Sequence, residues 1–564
     1  MAAKLTPAQT RARDAQFVRQ CSLTGFKQRL PLSWPTPALT PASPKRRYRS
    51  DYVYLGWDDL LAPADWDELT DFDLLLRLIN FDGLRPVLAQ RLGWTSARGH
   101  VPFDPVSLFL LCGWQTTNGW NRSRTLQELR YPRNADYARR FGFSAGHWPT
   151  EGGLRYFLTT LGRHSDLDGQ TVTLALPDHE PVEVAVQQLN HLIAQSVALI
   201  RAADLLSPEA WQQALVCPDG MLHEAASRLR CSSVQASCYQ PTTPESPRPC
   251  PAQAKQKRGC DCDTAQCQQI CRFAPAREPE ARFVYYSGSN QHPDNPNQTT
   301  DPAHSPRGEA HYGYRSLPLQ LADPARRFSL ILLDDFRPAN EREETPVAAL
   351  LLQLSTFYPD LHLATVAGDA GFGFDLVLST VYQLGAKRVI DLRQHPTDAD
   401  KTTWLLRGYD HRGRPICPFG YAFTANGFDT SRQRHKWCCQ QACCHGVEPL
   451  IRLDTVVYPP PDCPFQTPDR PHGQVINVGQ RFADGSIRLA RDLPVGTPTW
   501  NQLYHRARNA VEGRNSTMQR WDLKRLPVFG TPRGKATIFL ADVWNNLTTL
   551  ARLVREATQA ARAA

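Results

Sequence analysis

Apolar residues recur along this chain in two patterns. Helical spacing, as at Phe72, Leu75, Leu76 and Ile79, dominates the first part of the chain and predicts helices over 71–163 and 181–206. Beyond residue 206, short apolar runs predict strands at 214–217, 317–321, 328–333, 363–367 and 388–392. Further helices are predicted between or after these strands, at 346–357, 374–384, 500–519 and 535–558. The alternation of strands and helices favours an α/β layer architecture.

The two patterns divide the chain into segments. Residues 29–45 contain five prolines and few large apolar residues, so 1–50 is predicted to be a poorly ordered lead-in. An all-helical domain is predicted over 51–206 and an α/β domain over 207–564. Two Cys-rich and Pro-rich insertions, 231–310 and 410–475, interrupt the second domain.

The composition excludes some classes of protein. The chain has 564 residues, of which 41% are hydrophobic and 21% charged, values typical of a globular protein. Its apolar runs fall short of the ~18 residues of a membrane helix. The first 20 residues lack the apolar core of a secretory signal. We therefore expect a cytoplasmic protein without membrane contact.

Positive charge is concentrated at one end of the chain. The formal net charge is +9, and residues 488–564 alone hold 13 Lys plus Arg against 5 Asp plus Glu. This end is therefore expected to meet a polyanion. The candidate contacts are Arg514, Arg520, Lys524 and Arg525, and a merely solubilising surface is the alternative interpretation.

Sixteen cysteines in a chain without a secretory signal favour free thiols or metal ligands over disulfides. Thirteen of them fall in the two insertions. Clustered thiolates favour structural zinc, although neither group has paired CxxC spacing and free thiols remain the alternative. His435 and His445 are optional further ligands. The candidate ligands are Cys260, Cys262, Cys267 and Cys271 in the first insertion, and Cys417, Cys438, Cys439, Cys443, Cys444 and Cys463 in the second.

Carboxylates that follow predicted strands are the main candidates for chemistry. The chain lacks a phosphate-binding P-loop and a complete GxGxxG turn, so no nucleotide cofactor is expected. Asp219 and Asp369 follow the strands at 214–217 and 363–367, where α/β sheets form ligand sites. Each has the alternative interpretation of a turn residue. Asp334 and Asp335 also follow a strand and are expected to close it in solvent.

The helix at 500–519 supplies a third group. Tyr504, Arg508 and Glu512 are spaced four apart and therefore share one face. An ordinary surface salt bridge, worth ~0.2 to 0.5 kcal/mol, is the alternative interpretation. Gly513 and Asn515 are poor choices for a helix that only has to be stable.

These motifs, in this order, carry a resemblance to a known family. Cys-Pro-Asp219-Gly, then Val-Ala-Gly-Asp369-Ala-Gly-Phe-Gly, then Tyr504-x3-Arg508-x3-Glu512 resemble the DDE transposases of bacterial insertion sequences. The branch is the one with Tyr, Arg and Glu on the last catalytic helix. Three further stretches support the resemblance: Arg-Tyr-Phe-Leu from residue 155, His-Tyr-Gly-Tyr-Arg-Ser from residue 311 on the presumed second strand, and Gly-Ala-Lys-Arg-Val-Ile from residue 385 on the presumed fifth strand.

The resemblance implies a ribonuclease-H-like fold and a metal-dependent site. Asp219, Asp369 and Glu512 would hold two Mg²⁺ ions, for which Mn²⁺ can substitute. Tyr504 and Arg508 would contact DNA phosphate near the scissile bond. The helical N-terminal domain would bind DNA.

A transposase would bind the double-stranded ends of a mobile element, cut them and join them to target DNA. It would act as a homodimer or higher oligomer in association with the nucleoid. Two alternatives remain open from the residues: a non-catalytic zinc DNA-binding protein, in which the acids close turns, and a nuclease on the same fold that never joins ends. The ordered set of Asp219, Asp369 and Glu512 favours an enzyme, because a binding module has no need of it.

Overall fold

The computed structural model describes most of the chain and leaves gaps in both insertions. The described residues are 30–36, 47–56, 66–94, 101–163, 170–174, 180–227, 278, 280–286, 309–323, 326, 328–391, 414–417, 419–450, 452, 456–460, 463, 473, 475–479, 492–493 and 498–563. They form a mixed α/β structure with several small sheets and one mixed sheet of five strands. No helix within these residues is long and apolar enough to cross a membrane.

The helices follow the predicted spacing closely. Capping residues fix several of their starts: Thr70 and Asp104 each accept a backbone N–H of the first turn, and Pro105 opens the helix after Asp104. The helices are α1 (Asp71–Leu78), α2 (Leu84–Arg91), α3 (Pro105–Thr117), α4 (Arg122–Arg130), α5 (Ala135–Arg140), α6 (Glu151–Arg163), α7 (Asn190–Ala202), α8 (Pro208–Gln212), α9 (Glu344–Phe357), α10 (Asp375–Gln383), α11 (Pro498–Arg520) and α12 (Thr531–Ala563).

The strands belong to five separate sheets. They are β1 (Leu32–Ser33), β2 (Ile79–Asn80), β3 (Thr171–Leu174), β4 (Val182–Ala185), β5 (Ala214–Pro218), β6 (Met221–Glu224), β7 (Arg282–Tyr286), β8 (Glu309–Ser316), β9 (Leu319–Asp323), β10 (Phe328–Leu333), β11 (Phe336–Pro338), β12 (Leu363–Gly368), β13 (Lys387–Ile390), β14 (Thr424–Asp429), β15 (Arg434–Cys438) and β16 (Val475–Gly479).

Two predictions about the N-terminal part are wrong. The helix predicted over 181–206 begins only at Asn190, because the alternating valines Val182 and Val184 lie on β4, which pairs antiparallel with β3. The segment is therefore not all helical. Part of the predicted lead-in is also ordered, because β1 pairs with β2 and the side chains of Leu30 and Trp34 are buried. Burial of these large apolar side chains stabilises the segment despite the neighbouring prolines. The remaining residues of 1–50, apart from 47–50, lie outside the described structure.

The five-stranded sheet has the order β10-β9-β5-β12-β13. β10, β9 and β5 are antiparallel to one another in turn, whereas β5, β12 and β13 run parallel. All five strands coincide with predicted ones to within a few residues. Alternate side chains of β5 point to opposite faces of the sheet. Ala214 and Val216 join the main hydrophobic cluster, while Leu215 and Cys217 face α11. Helices α9 and α10 cover the first of these faces.

Three strands of this sheet continue into a second sheet. β5, β9 and β10 lie next to β6, β8 and β11 along the chain, and the second sheet has the order β11-β8-β6, with β7 also paired to β8. The stretch that begins at His311, predicted to lie on the second strand of the main sheet, instead forms part of β8 in this second sheet. The three bends between the sheets lie side by side and are hydrogen-bonded to one another. Asp219 N donates to Pro318 O, and Leu317 N donates to Asp335 O.

The last helix joins the helical part to the sheets. α12 packs against α1, α3, α6 and α7 as well as β10. Its Trp544 meets α3 so closely that a Cβ on Gly113 would lie 2.0 Å from the indole ring, so only glycine fits there. One hydrophobic cluster therefore runs from Leu30 to Val554, across the domain boundary predicted at residue 206.

Candidate active site

Asp219 lies at the bend between β5 and β6. The residue is only 6% exposed, and the backbone continues from one strand to the next without a turn. The turn interpretation of Pro218-Asp219-Gly220 is therefore wrong. The bend places a carboxylate at the carboxyl end of a central strand, where α/β sheets form ligand sites.

Asp369 follows β12, the parallel neighbour of β5. Its Oδ1 accepts the backbone N–H of Gly371 at 2.9 Å and thereby caps a short 3₁₀ helix, Ala370–Phe372. Asp219 and Asp369 thus stand at the same edge of the sheet, at the ends of adjacent parallel strands. The fold brings together two predicted acids that lie far apart in the sequence.

Helix α11 crosses the sheet at this edge and directs two side chains at Asp219. Arg508 Nη1 donates to Asp219 Oδ1 at 3.0 Å, and Asn515 Nδ2 donates to Asp219 Oδ2 at 2.7 Å. The apolar side chains Ala507 and Val511 hold the helix against the sheet. Asn515, which lowers helix propensity, is therefore explained by its bond to Asp219.

Glu512 is placed beside this group but does not contact it. It follows Arg508 by four residues and precedes Asn515 by three, so all three lie on one side of α11. The Glu512 side chain is exposed and makes no hydrogen bond or ion pair with another described residue. Arg508 bonds to Asp219 instead of forming the surface pair with Glu512 that was the alternative interpretation.

Glu343, at the start of α9, is a site residue that sequence reasoning missed. A Cβ added to Gly220 would lie 3.5 Å from Glu343 Oε1, and one added to Gly371 would lie 3.7 Å from its Oε2. Glu343 also pairs with Arg315 Nη1 at 2.6 Å. It lies in the polar run Glu341-Arg-Glu343-Glu, which is typical of a solvated loop, so no sequence signal marks it.

The charges of these groups act on one another. Burial raises the pKa of Asp369, and Arg508 partly opposes the shift. Burial also raises the pKa of Glu343, where Arg315 opposes the shift and the charges of Asp369 and Asp219 add to it. Burial alone would lower the pKa of Arg508, but the two aspartates raise it above its ordinary value. The site therefore holds more buried and half-buried carboxyl groups than cations.

Tyr504 lies one turn before Arg508 on α11. Its ring stacks on Trp500 with centroids 4.4 Å apart, and the side chain is half-buried. Burial raises the pKa of Tyr504 to about 12, and the charge of Asp391 adds to the shift. The hydroxyl is therefore protonated at neutral pH and available as a hydrogen-bond donor.

The prediction that Arg514 contacts DNA is wrong. Its side chain is fully buried and donates to Asp542 Oδ1 at 2.8 Å, Ser316 Oγ at 3.1 Å and Asp334 Oδ2 at 3.1 Å. These bonds join α11 to α12 and to the strand bend. The expectation that Asp334 and Asp335 face solvent is wrong for the same reason, since both are buried and Asp334 Oδ1 also accepts Leu317 N.

The other predicted DNA contacts lie on the surface after α11. Arg520, Lys524 and Arg525 are all exposed. Arg520 donates to Thr517 Oγ1 at 3.0 Å, and Arg525 donates to the carbonyl of Ala226 at 3.2 Å. Their positive charges are accessible to a polyanion.

The cysteines divide between described and undescribed parts of the chain. The first predicted zinc group, Cys260, Cys262, Cys267 and Cys271, lies outside the described residues. Of the second group, Cys438 ends β15, and Cys417 and Cys439 pack against the small apolar cluster of the sheet formed by β14, β15 and β16. Within the part of the chain that the structure describes, no three His, Cys, Asp or Glu side chains are arranged closely enough to hold a metal ion.

No model of a protein family matches the chain, and no curated protein matches it.

Proposed function

We propose that this chain is a DDE-type transposase, which binds the ends of a mobile DNA element, cuts them and joins them to target DNA. The observation that supports this most directly is the convergence of three distant elements. Asp219 and Asp369 end adjacent parallel strands, and the helix that bears Glu512 directs Arg508 and Asn515 at Asp219. The strand order β10-β9-β5-β12-β13, with three antiparallel and then two parallel strands, supports assigning the sheet to the ribonuclease-H-like fold.

The residues at this edge fit a hard divalent cation. They offer several oxygen atoms but too few hydrogen-bond donors to satisfy all of them. Asn515 Oδ1, for example, is buried beside Asp219 and accepts no hydrogen bond from the described residues. Mg²⁺ prefers such oxygen ligands and keeps water and phosphate oxygens as the rest of its shell. Asp219, Asp369 and Glu512 would hold the ions, and Glu512 would have to turn toward the sheet to do so.

The chain's own residues would act mainly by position and charge. Bound ions would supply Lewis acidity and an activated oxygen nucleophile for in-line attack on a phosphodiester. Arg508, which offsets the carboxylates in this structure, would be free to pair with a DNA phosphate once a cation neutralised Asp219. The Tyr504 hydroxyl, protonated at neutral pH, would donate to a neighbouring phosphate oxygen. Arg520, Lys524 and Arg525 would bind the DNA backbone beyond the site.

The proposal carries further expectations. Joining an element to a target requires two ends, so we expect a dimer or larger assembly on DNA. The helical N-terminal part would provide additional DNA contacts. The protein would work at the nucleoid.

The test uses the full chain and a plasmid that carries its gene with the natural flanking DNA. With Mg²⁺, wild-type protein is expected to cut at both flanks and to join the ends to a second plasmid, with the junctions read by sequencing. Asp219→Asn, Asp369→Asn and Glu512→Gln should each lower product formation at least about a hundredfold, because each removes a metal ligand.

Glu209→Gln is the matched control, since Glu209 is an exposed acid on α8. It should cut and join like wild type. Cutting without any joining would favour a nuclease on the same fold. DNA binding without cutting by the wild-type protein would favour the non-catalytic zinc DNA-binding protein. Wild-type activity in any of the three acid variants would remove that residue from the site.

A further inference from the structure

Four arginines lie where helices α4, α6 and α12 come together. Arg122 is the first residue of α4, Arg155 and Arg163 lie on α6, and Arg533 lies in the first turn of α12. Arg155 and Arg163 are exposed, whereas Arg122 and Arg533 are half-buried. We call these four residues the arginine patch.

A close backbone contact holds the start of α12 against α6. Gly162 on α6 touches Pro532 so closely that a Cβ on Gly162 would clash with the carbonyl oxygen of Pro532. Arg163 and Arg533 are the next residues after the two contacting ones. Arg155 precedes Gly162 by seven residues, so it lies on the same side of α6, about 10 Å away along the helix axis. The start of α12 therefore lies beside both arginines of α6.

A second contact holds the start of α4 against α12. Asn121, which caps α4, lines one small pocket together with Thr537 of α12. Thr537 follows Arg533 by four residues, so the two lie on the same face of α12. Arg122 is the residue after Asn121, and α4 also packs against α6. The first turns of α4 and α12 therefore bring Arg122 and Arg533 into the same region of the surface.

The positive charges of the patch act on one another, as this geometry requires. Burial, and after it the charges of Arg155 and Arg533, lower the pKa of Arg122. Burial, and after it the charges of Arg155 and Arg163, lower the pKa of Arg533. None of the four forms an ion pair with another described residue, and Nη1 of Arg122 is buried without an acceptor among those residues. The patch therefore concentrates positive charge that the described side chains do not balance.

Two glutamates lie near the patch but do not neutralise it. Glu151 and Glu278 oppose the pKa shifts of their arginine neighbours without cancelling them. The carboxylate of Glu278 accepts hydrogen bonds from Ser227 N and Ser227 Oγ, both at 2.7 Å, and from Gly530 N at 3.0 Å. Its oxygens are therefore occupied by neutral donors and not by an arginine.

Two of the cations stand where a helix disfavours positive charge. The first turns of α4 and α12 each contain an arginine and no acidic residue. Because the N-terminal end of a helix carries a partial positive charge, a cation there lowers stability and an anion raises it. An anion bound at the patch would relieve this repulsion as well as the repulsion among the four arginines.

The patch adjoins the exposed cations at the end of α11. A Cβ on Gly119, three residues before Arg122, would lie 3.6 Å from the carbonyl oxygen of Arg520. The start of α4 therefore lies beside Arg520, which the proposed function assigns to the DNA backbone. Arg124 adds another exposed cation at this end of α4, where its guanidinium lies over the ring of Trp120 at 5.2 Å.

We propose that the arginine patch binds the phosphate backbone of duplex DNA and extends the DNA-binding surface from the end of α11 onto α4, α6 and the start of α12. The inference rests on the proposed function and assigns it a second surface of contact. Cations spread over three helices, and over about 10 Å of α6, cover more than one phosphate. Duplex DNA matches this spread, since it carries one negative charge per about 1.7 Å of its axis.

The experiment measures how the full-length protein binds a labelled random-sequence duplex, by fluorescence anisotropy in EDTA, so that cleavage plays no part. The patch variant combines Arg122→Gln, Arg155→Gln and Arg533→Gln and is expected to bind at least about tenfold more weakly. Its slope of log affinity against log salt should become shallower by up to about 0.9 for each phosphate lost. Its melting temperature should be unchanged or higher, because the substitutions remove repulsion between like charges.

Two further variants separate the patch from the net charge of the protein. The matched control carries Gln at three exposed arginines that already pair with an acid, namely Arg133 with Glu128, Arg139 with Asp136 and Arg201 with Asp360. It changes the net charge by the same amount and should bind DNA like wild type. Lys at the three patch positions should preserve affinity and slope, because an ammonium group also neutralises a phosphate.

The proposal is overturned if the patch variant keeps the affinity and slope of wild type, or if the control variant loses as much affinity as the patch variant. It is also overturned if the Lys variant binds as weakly as the Gln variant. If inorganic phosphate raises the melting temperature of wild type alone while wild type and patch variant bind duplex alike, the patch is a site for single anions and not for DNA. A wild-type protein that binds no duplex would contradict the proposed function itself, whereas the other outcomes concern only the patch.

Discussion

One helix carries two arginines in opposite settings. Arg508 and Arg514 both lie on α11, and each faces two aspartates. We call Arg514, Asp334 and Asp542 the inner cluster, and Arg508, Asp219 and Asp369 the outer cluster. The side chains of the inner cluster's Arg514–Asp334 and Arg514–Asp542 pairs are 0% exposed, whereas Arg508 in the outer cluster is 21% exposed.

The two clusters differ in how completely their charged groups are enclosed. Burial and the neighbouring Asp542 raise the pKa of Asp334 well above its usual range. In the inner cluster, each of the three side-chain nitrogens of Arg514 has a partner, and both ion pairs are closed off from water. The outer cluster keeps a surplus of carboxylate that water or a cation can reach. The same residue types therefore form a structural joint in one place and a candidate site in the other.

Mutation of the inner cluster should lower the free energy of unfolding more than mutation of the outer cluster. Arg514→Ala leaves Asp334 and Asp542 buried without a cation, so we expect a loss of about 3 to 5 kcal/mol in the free energy of unfolding. Arg506→Ala, an exposed arginine of the same helix, should change it by less than about 0.5 kcal/mol. Urea unfolding followed by circular dichroism measures both. A loss below about 1 kcal/mol in Arg514→Ala would show that the inner cluster is not the joint described here.

In the outer cluster, mutation should reduce activity more than stability. Arg508→Ala is expected to cost less stability than Arg514→Ala, because Arg508 is 21% exposed and Asn515 still bonds to Asp219. Its DNA cleavage should nevertheless fall at least about tenfold, since phosphate loses a partner. Unfolding curves and the plasmid assay on the same preparation give both numbers. A variant that loses several kcal/mol of stability and no activity would place Arg508 with the structural residues.

Acid should weaken the inner cluster through His223. Its Nε2 lies 2.9 Å from Ser316 Oγ, the same oxygen that Arg514 contacts, and burial lowers the pKa of His223 from 6.5 to about 3. The folded pKa is below the unfolded one, so the unfolded state binds the proton first as the pH falls. The stability that depends on neutral His223 is therefore complete above about pH 6.5 and is lost as the pH falls from there toward about 3, by about 1.4 kcal/mol per unit.

The difference between wild type and His223→Gln isolates this effect from the other acids. The stability advantage of wild type is expected to be about 2 kcal/mol smaller at about pH 5 than at about pH 8. Urea midpoints at the two pH values test it. An equal advantage at both would mean that His223 titrates alike in the folded and unfolded chains.

The exposed cations beyond α11 should affect DNA affinity and leave stability unchanged. Replacing Arg520, Lys524 and Arg525 with Ala together is expected to weaken binding to specific and random duplex alike. The slope of log affinity against log salt should become shallower by up to about 0.9 for each phosphate that the variant no longer neutralises. Fluorescence anisotropy over a salt series measures it. An unchanged slope would make the N-terminal helices the main candidate for the DNA track.

The regular elements follow from the sequence better than the contacts between them do. The five strands of the main sheet and helices α9 to α12 follow from apolar periodicity, because each buries a defined face. The bend at Pro218-Asp219-Gly220 does not follow from the sequence, since the same residues favour a turn. Only the pairing of β5 with β9 and of β6 with β8 makes the backbone bend there instead of turning. Asp219 and Asp369 are identifiable because strand ends recur as ligand sites.

Burial of charge is the least predictable feature. Arg514 and Asp334 look like surface residues in the sequence, and only the packing of α11 and α12 around the strand bend encloses them together. Glu343 enters the candidate site because the start of α9 brings its carboxylate close to Gly220 and Gly371, which neighbour the two aspartates. Neither arrangement produces a sequence motif with fixed spacing, so only the tertiary contacts reveal it.

The central claim is that Asp219 and Asp369 of the outer cluster, together with Glu512, hold the metal ions for DNA cleavage, and exchanging one ligand tests it most directly. Asp219→Cys replaces a hard oxygen ligand with a softer sulfur, which Mn²⁺ accepts more readily than Mg²⁺. The variant is expected to be inactive in Mg²⁺ and to regain DNA cleavage in Mn²⁺, while wild type cuts in both. A variant that cuts in Mg²⁺ like wild type, or that stays inactive in Mn²⁺ although folded and bound to DNA, would contradict the claim.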